Sequence, residues 1–308
     1  MAKTNISLRK QAHFTNATFK LVKWPFSSSY SLDDKVLALQ TSRISPQLSL
    51  KSSLSEQVSV IPSWNNERLE QTSLIEKSCF GDFNLGFHVG DNAERVTQNR
   101  SVLKSLISQQ LSNKTVLPNA RRIDEVKIQW LEQVHGSEVV TVTSVNEQAM
   151  IADASITRQK NIALAIMTAD CLPILLSHNT GSEIAAIHGG WRPLAGNIIA
   201  KTIAKMNSQP SDIIAWLGPC IGKDAFEVGG EVKQAFSQLD VVFNNAFVKQ
   251  SNGKYLADLH QIARLQLAYL GVTVIASLAE CTYHETQTYY SYRKEQVTGR
   301  MASIICRR

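Results

Sequence analysis

Four short apolar runs between residues 162 and 217 limit the fold of this chain more than any other feature. They are Ile162 to Met167, Pro173 to Leu176, Ile184 to Ile187 and Ile213 to Leu217. Each is rich in branched residues and bounded by polar or turn-forming ones, which predicts buried strands. Lys127 to Leu131 and Glu138 to Thr143 extend the set. Two helices are legible between and after them. Leu194, Ile198, Ile199, Thr202, Ile203 and Met206 share one helical face, and Leu256, Leu259, Ile262, Ala263, Leu267 and Leu270 share another, with Gly271 as a stop. The closing stretch predicts a strand pair, Thr288 to Tyr292 and Arg300 to Cys306, joined through Gly299. Strands and helices mix without a regular βαβ rhythm, so the expected class is α+β, in a single catalytic domain.

Composition sets the outer bounds. Of the 308 residues, 44% are hydrophobic and 19% charged, enough for an ordinary core. No run approaches the ~18 apolar residues that cross a bilayer, and the N-terminus lacks a secretory core. Five cysteines, Cys79, Cys171, Cys220, Cys281 and Cys306, form no close pair and cannot all pair within the chain. A reducing, cytoplasmic setting is expected. The net charge is +6, but residues 1–58 carry eight basic and only three acidic side chains, so the remainder is nearly neutral. A nucleic-acid partner is not expected. Residues 1–58 are also serine-rich, at Ser27 to Ser29 and at Ser52 and Ser53, with no sustained period. They are read as an N-terminal extension, disordered or transit-like, ahead of a catalytic domain at 59–308; organelle targeting follows if the extension acts as a transit peptide.

Three potential metal ligands sit where a predicted strand gives way to a loop. His135 closes IQWLEQVHG, Cys171 follows IALAIMTAD, and His188 follows EIAAI. Two imidazoles and a thiolate suit zinc, with a fourth position for a water whose pKa falls towards ~7. Each also has an ordinary structural reading, as a hydrogen-bonded imidazole or a buried thiol. Asp170, beside Cys171, is explained least by packing. Gly189 and Gly190 follow His188 and allow a close backbone approach. Arg192 precedes a helix, where an arginine suits phosphate or carboxylate, or simply faces solvent.

Eight strings occur in order: FNLGFHVGD (83–91), QVHG (133–136), TADCLPILL (168–176), HGGWR (188–192), LGPCIG (217–222), AFEVG (225–229), DLHQIAR (258–264) and YYSYRKEQVTGRMAS (289–303). Together they closely resemble the YfiH-like laccase-domain family, known both as polyphenol oxidases and as purine nucleoside phosphorylases. The resemblance implies mixed sheets packed together with helices outside. It implies metal ligation by His135, Cys171 and His188, the same trio that the strand ends select. It further implies phosphorolysis of inosine, guanosine, adenosine and methylthioadenosine, with adenosine deamination beside it. On that basis Asp170 is the candidate proton carrier, and Arg192 the candidate phosphate holder. Asn84 and His88 are candidates to line the nucleoside pocket, and Arg293 is an alternative for phosphate. Pro193, Cys220 and the run Tyr289 to Lys294 depart from the family pattern without removing a ligand.

Three other readings stay open on the sequence. They are a copper-dependent polyphenol oxidase, a cysteine hydrolase using Cys171 and His188, and a metal-binding regulator without turnover. Seven histidines in all, one of them His13, are few for a multicopper array.

Overall fold

Apolar runs without polar alternation need cover on both faces, and the fold provides it with four layers. The protein is described here by a computed structural model covering residues 18–25, 32–46, 79–112 and 125–308. The principal strands, in chain order, are β1 (Phe19–Leu21), β2 (Val36–Thr41), β3 (Lys127–Gln129), β4 (Val139–Thr141), β5 (Ala154–Thr157), β6 (Ile162–Thr168), β7 (Leu172–His178), β8 (Ile184–Gly189), β9 (Ile213–Leu217), β10 (Val274–Ser277) and β11 (Met301–Arg307). They form a five-stranded sheet in the order β1-β2-β11-β6-β3 and a six-stranded sheet in the order β10-β9-β7-β8-β5-β4. Most neighbours are antiparallel; β3 with β6, β4 with β5 and β9 with β10 are parallel.

The sheets pack face to face. Ala38, Leu164, Ile166 and Ile305 of the first meet Leu175, Ile184, Ala186, Ile214 and Trp216 of the second. Helix α1 (Ala93–Ser112) covers the outer face of the first sheet, setting Leu103, Leu106 and Ile107 against Leu39, Ala165 and Ile304. Helices α2 (Trp191–Ala195), α3 (Ile198–Lys205), α4 (Gly230–Ser237) and α5 (Leu259–Tyr269) cover the second. There Leu194, Ile199, Phe236 and Ile262 meet Ile174, Leu176 and Ile187. The expected α+β class and packed mixed sheets hold. Among the described residues, no helix is long and apolar enough to cross a membrane.

The strand expectations hold to within a residue or two, and Ile213–Leu217 matches at both ends. Four features differ. The expected helix from Leu194 to Met206 is two helices, because Gly196 and Asn197 interrupt it and Asn197 takes a left-handed φ of 58°. The apolar stripe runs through the break because both pieces lie on one sheet face. Leu256 belongs to a small strand, Tyr255–Ala257, and α5 begins only after Asp258, whose carboxylate accepts from the Gln261 amide as an N-cap. Thr288 to Tyr292 is a turn rather than a strand. Its amides at Thr288 and Tyr289 bond back to the Glu285 carbonyl, while Tyr289 and Tyr290 are buried with their hydroxyls on Glu280 and on the Phe80 carbonyl.

The fourth difference concerns the domain boundary. Residues within 1–58 are part of the folded body: β1 pairs with β2, and β2 lies between β1 and β11, with Ser303 to Arg307 set against Gln40 to Val36. All six residues of β2 are buried. A strand covered on both faces shows no alternation, which is why Val36–Thr41 carries no period-2 signal. Ser27 to Ser29 and Ser52 and Ser53, which suggest a transit peptide, lie outside the described residues.

Candidate functional site

The chain crosses from one sheet to the other between β6 and β7, using only Ala169, Asp170 and Cys171. A crossing this tight forces unusual backbone geometry, and Asp170 adopts φ 101°. Such a conformation costs a non-glycine residue about 1–3 kcal/mol and persists where the surroundings hold it. Here they do. One carboxylate oxygen of Asp170 accepts from the Thr282 hydroxyl at 2.6 Å and the other from the Arg293 amide at 2.6 Å. Its carbonyl accepts from the Ile221 amide at 2.9 Å. Asp170 therefore ties three loops to the crossing and sets Cys171 at their centre.

His188 reaches Cys171 from β8, which pairs with β7 so that His188 lies opposite Pro173. The chain then has to pass the thiol. A Cβ on Gly190 would lie 3.1 Å from Cys171 Sγ, and one on Gly189 would lie 2.7 Å from the Leu172 carbonyl oxygen. The close approach expected of the paired glycines is what they provide. His135 arrives from the loop before β4, with φ 59°. Its Nε2 lies 4.0 Å from Cys171 Sγ, and its ring meets that of His188 edge-on at 4.7 Å. The ligand atoms of His135, Cys171 and His188 all fall within 4.8 Å of one another, and theirs is the group of three or more potential ligands found among the described residues.

Asp153 underpins this trio. It is fully buried, bonds His188 Nδ1 at 2.7 Å, and accepts the amides of His135 at 3.0 Å and Gly136 at 2.6 Å. Burial works against its charge, but these hydrogen bonds and the His188 charge outweigh it and hold the carboxyl below its ordinary range. The same balance acts next door. Burial alone would raise the Cys171 thiol, yet the charge of His188 and hydrogen bonds from both imidazoles bring it down to about 6. Burial alone would lower His188, yet the Cys171 thiolate and Asp153 lift it to about 9. A low thiol pKa is the condition for a sulfur that binds metal or attacks carbon.

The trio opens into a cavity of about 520 Å³. Trp191, Phe226 and Tyr292 supply aromatic walls, and His88, Arg293 and Arg300 supply polar ones. Thr168 also lines it, with a buried hydroxyl that has no hydrogen-bond partner among the described residues. His88 is held below its ordinary pKa by burial and by the charges of Arg300 and Arg100. Arg300 donates to the Thr298 and Gly299 carbonyls, and Arg293 donates to the Glu227 carbonyl while standing 5.4 Å over the Phe226 ring.

Asp170, His88 and Arg293 line the same cavity as His135, Cys171 and His188. Two candidates do not. Asn84 is fully buried and outside the cavity, its side chain bonded to the Gly86 backbone, to Asp91 and to the Arg300 amide. It braces the segment that carries His88. Arg192 is exposed and stacks its guanidinium 4.5 Å over the Trp191 ring, and it is Trp191 that faces the cavity. Sequence reasoning passes over Asp153, Trp191, Phe226, Tyr292 and Arg300. Four of these lie inside the quoted strings. Asp153 lies in none, but a carboxylate set between alanines at the mouth of a strand signals a buried charge that needs partners.

Comparison with known proteins follows the same lines. Residues 68–308 match the family described as multi-copper polyphenol oxidoreductase laccase. The purine nucleoside phosphorylase YfiH of Escherichia coli (strain K12) is 43% identical over 226 residues, which is 73% of this chain and 86% of that protein. A purine nucleoside phosphorylase of Pseudomonas aeruginosa is 37% identical over 75% of this chain and 88% of its own length. A crystal structure of a Neisseria meningitidis protein superposes with a TM-score of 0.73 at 33% identity, covering 94% of this chain and 99% of that one. Fold, motif order and sequence agree, and the chain belongs to the YfiH-like laccase-domain family.

Proposed function

We propose that this protein cleaves purine nucleosides with phosphate, using one metal ion, zinc in this reading, held by His135, Cys171 and His188. The observation that carries the proposal is the joining of the ligand trio, flat aromatic walls and two arginines in one cavity. The donor set fits an ion: two imidazoles, one low-pKa thiol, and a carboxylate already holding the far nitrogen of His188. When bound, zinc supplies Lewis-acid chemistry and a charge of +2.

The chain's own residues do the rest. Phe226 and Tyr292 offer ring faces to a purine. His88, kept neutral at pH 7, hydrogen-bonds the ribose. Arg293 and Arg300 hold phosphate, taking the role that the sequence offers to Arg192. In the reaction a phosphate oxygen bonds C1′ of the ribose as the C1′–N9 bond breaks. The base leaves with the electron pair and takes up a proton. Asp170 is the one carboxylate among the described residues lining the cavity, so adenosine deamination, the second activity in this reading, depends on it to move protons. The five cysteines are free thiols, which suits the cytoplasm.

The full chain, with measured metal content, is expected to release hypoxanthine from inosine and adenine from adenosine only when phosphate is present, as read by chromatography. A folded, zinc-loaded sample without turnover on either nucleoside overturns the proposal. Arg300→Ala is expected to raise the phosphate KM by about tenfold to a hundredfold, from the ~1.5–3 kcal/mol of a charged hydrogen bond, while Arg192→Ala leaves it unchanged. The reverse result returns phosphate binding to Arg192.

One observation favours a second reading. Cys171, His188 and Asp153 stand in the order of a nucleophile–base–orienter relay, which suits a cysteine hydrolase. The copper oxidase reading draws less support, since the described residues gather one His/Cys group, enough for a single ion.

A further inference from the structure

We infer that Asp153 is a positioning residue that fixes both the tautomer of His188 and the left-handed backbone of His135, and so fixes the site for its metal. This rests on the reading of His135, Cys171 and His188 as metal ligands. A carboxylate only accepts hydrogen bonds, so the 2.7 Å contact to Asp153 Oδ1 requires the proton on Nδ1 of His188. Nε2 is then the one ring nitrogen of His188 left to bind an ion. The same Oδ1 accepts the His135 amide at 3.0 Å, and Oδ2 accepts the Gly136 amide at 2.6 Å. A histidine at φ 59° needs such an anchor, because an unsupported left-handed residue would relax.

The main chain repeats the link. The His188 amide donates to the Asp153 carbonyl at 2.8 Å, one step beyond the β5–β8 pairing of Ala154 with Ile187. Asp153 therefore holds His188 through both its side chain and its backbone, and it holds the loop of His135 with the same carboxylate. Two ligands from separate elements share one buried anchor. Only Cys171 is placed independently, through Asp170.

Asp153→Asn keeps the shape but sets an amide N–H₂ against one of three donors. Its zinc affinity, measured by competition with a chelating dye, is expected to fall roughly 10–100-fold against wild type, the usual effect of losing a carboxylate behind a ligating histidine. Cobalt-loaded wild type is expected to show a thiolate-to-cobalt absorption band that broadens or weakens in the variant. Far-UV circular dichroism and melting of the chelated forms establish that the variant is folded. Should it not fold, ¹⁵N-histidine NMR of zinc-loaded wild type decides instead, and a solvent-protected proton on Nδ1 of His188 is expected. Equal zinc affinity in a folded variant, or an unprotonated Nδ1 in wild type, overturns the inference while the metal reading stands. Wild type that takes up no zinc overturns the metal reading itself.

Discussion

A chain that begins at residue 59 is expected not to fold, although composition marks everything before that point as dispensable. The truncation removes β1 and β2 and with them the buried side chains of Val22, Leu32, Val36, Leu37 and Leu39. Full burial of a valine or leucine contributes roughly 1.5–3 kcal/mol. Their joint loss is on the order of 10 kcal/mol, comparable with the ~5–15 kcal/mol that holds a whole domain together. The deletion also strips β11 of one of its two partners, leaving the backbone groups between Ser303 and Arg307 that face β2 as an open apolar edge. Far-UV circular dichroism, gel filtration and thermal melting of the truncated and full chains test this. A monomeric truncated chain with a cooperative melt at the full chain's temperature would falsify the placement of β2 in the core.

Cys171→Ala is expected to abolish phosphate-dependent base release and to leave the metal-free melting temperature nearly unchanged. The side chain is half-buried at the end of a crossing that Asp170 holds through its own three bonds, so alanine leaves the fold intact. Loss of a direct ligand should exceed the roughly 10–100-fold effect of losing a partner behind one, which puts turnover near the background. Wild-type turnover in the variant ends the proposed role. Chelation separates the two chemical readings that share this thiol. Metal-dependent phosphorolysis stops on chelation and returns with zinc, whereas a nucleophilic Cys171 stays active without metal and is silenced by alkylation.

Much of the fold and of the site is legible in the sequence, for identifiable reasons. The run at 213–217 is bounded by Asp212 and Gly218, so its ends are marked; His135, Cys171 and His188 are marked by their places at strand ends. What stays hidden depends on layers rather than on neighbours in sequence. Val36–Thr41 has no alternation because both its faces are covered, and a polar flank disguises it further. The break at Asn197 leaves the apolar stripe unbroken, so nothing in the pattern shows two helices. Arg192 draws attention because it follows His188 so closely, but the direction of its side chain is decided by Trp191, on which it stacks. Asp153 shows in the sequence only as a carboxylate between alanines, and its partner emerges when the pairing of β5 with β8 carries on to set it opposite His188.

The crossing at Ala169 to Cys171 has a consequence beyond the cavity. It spans the gap between the sheets in three residues, so the position of the sulfur is a gauge of how far apart the two layers stand. Side chains such as Leu164 and Leu175, deep in the filling between them and remote from any substrate, set that spacing. A bulkier or smaller residue at either place would shift the thiol against two imidazoles anchored elsewhere. In a survey of variants, lesions in the interlayer filling should therefore register as defects of catalysis before they register as defects of folding.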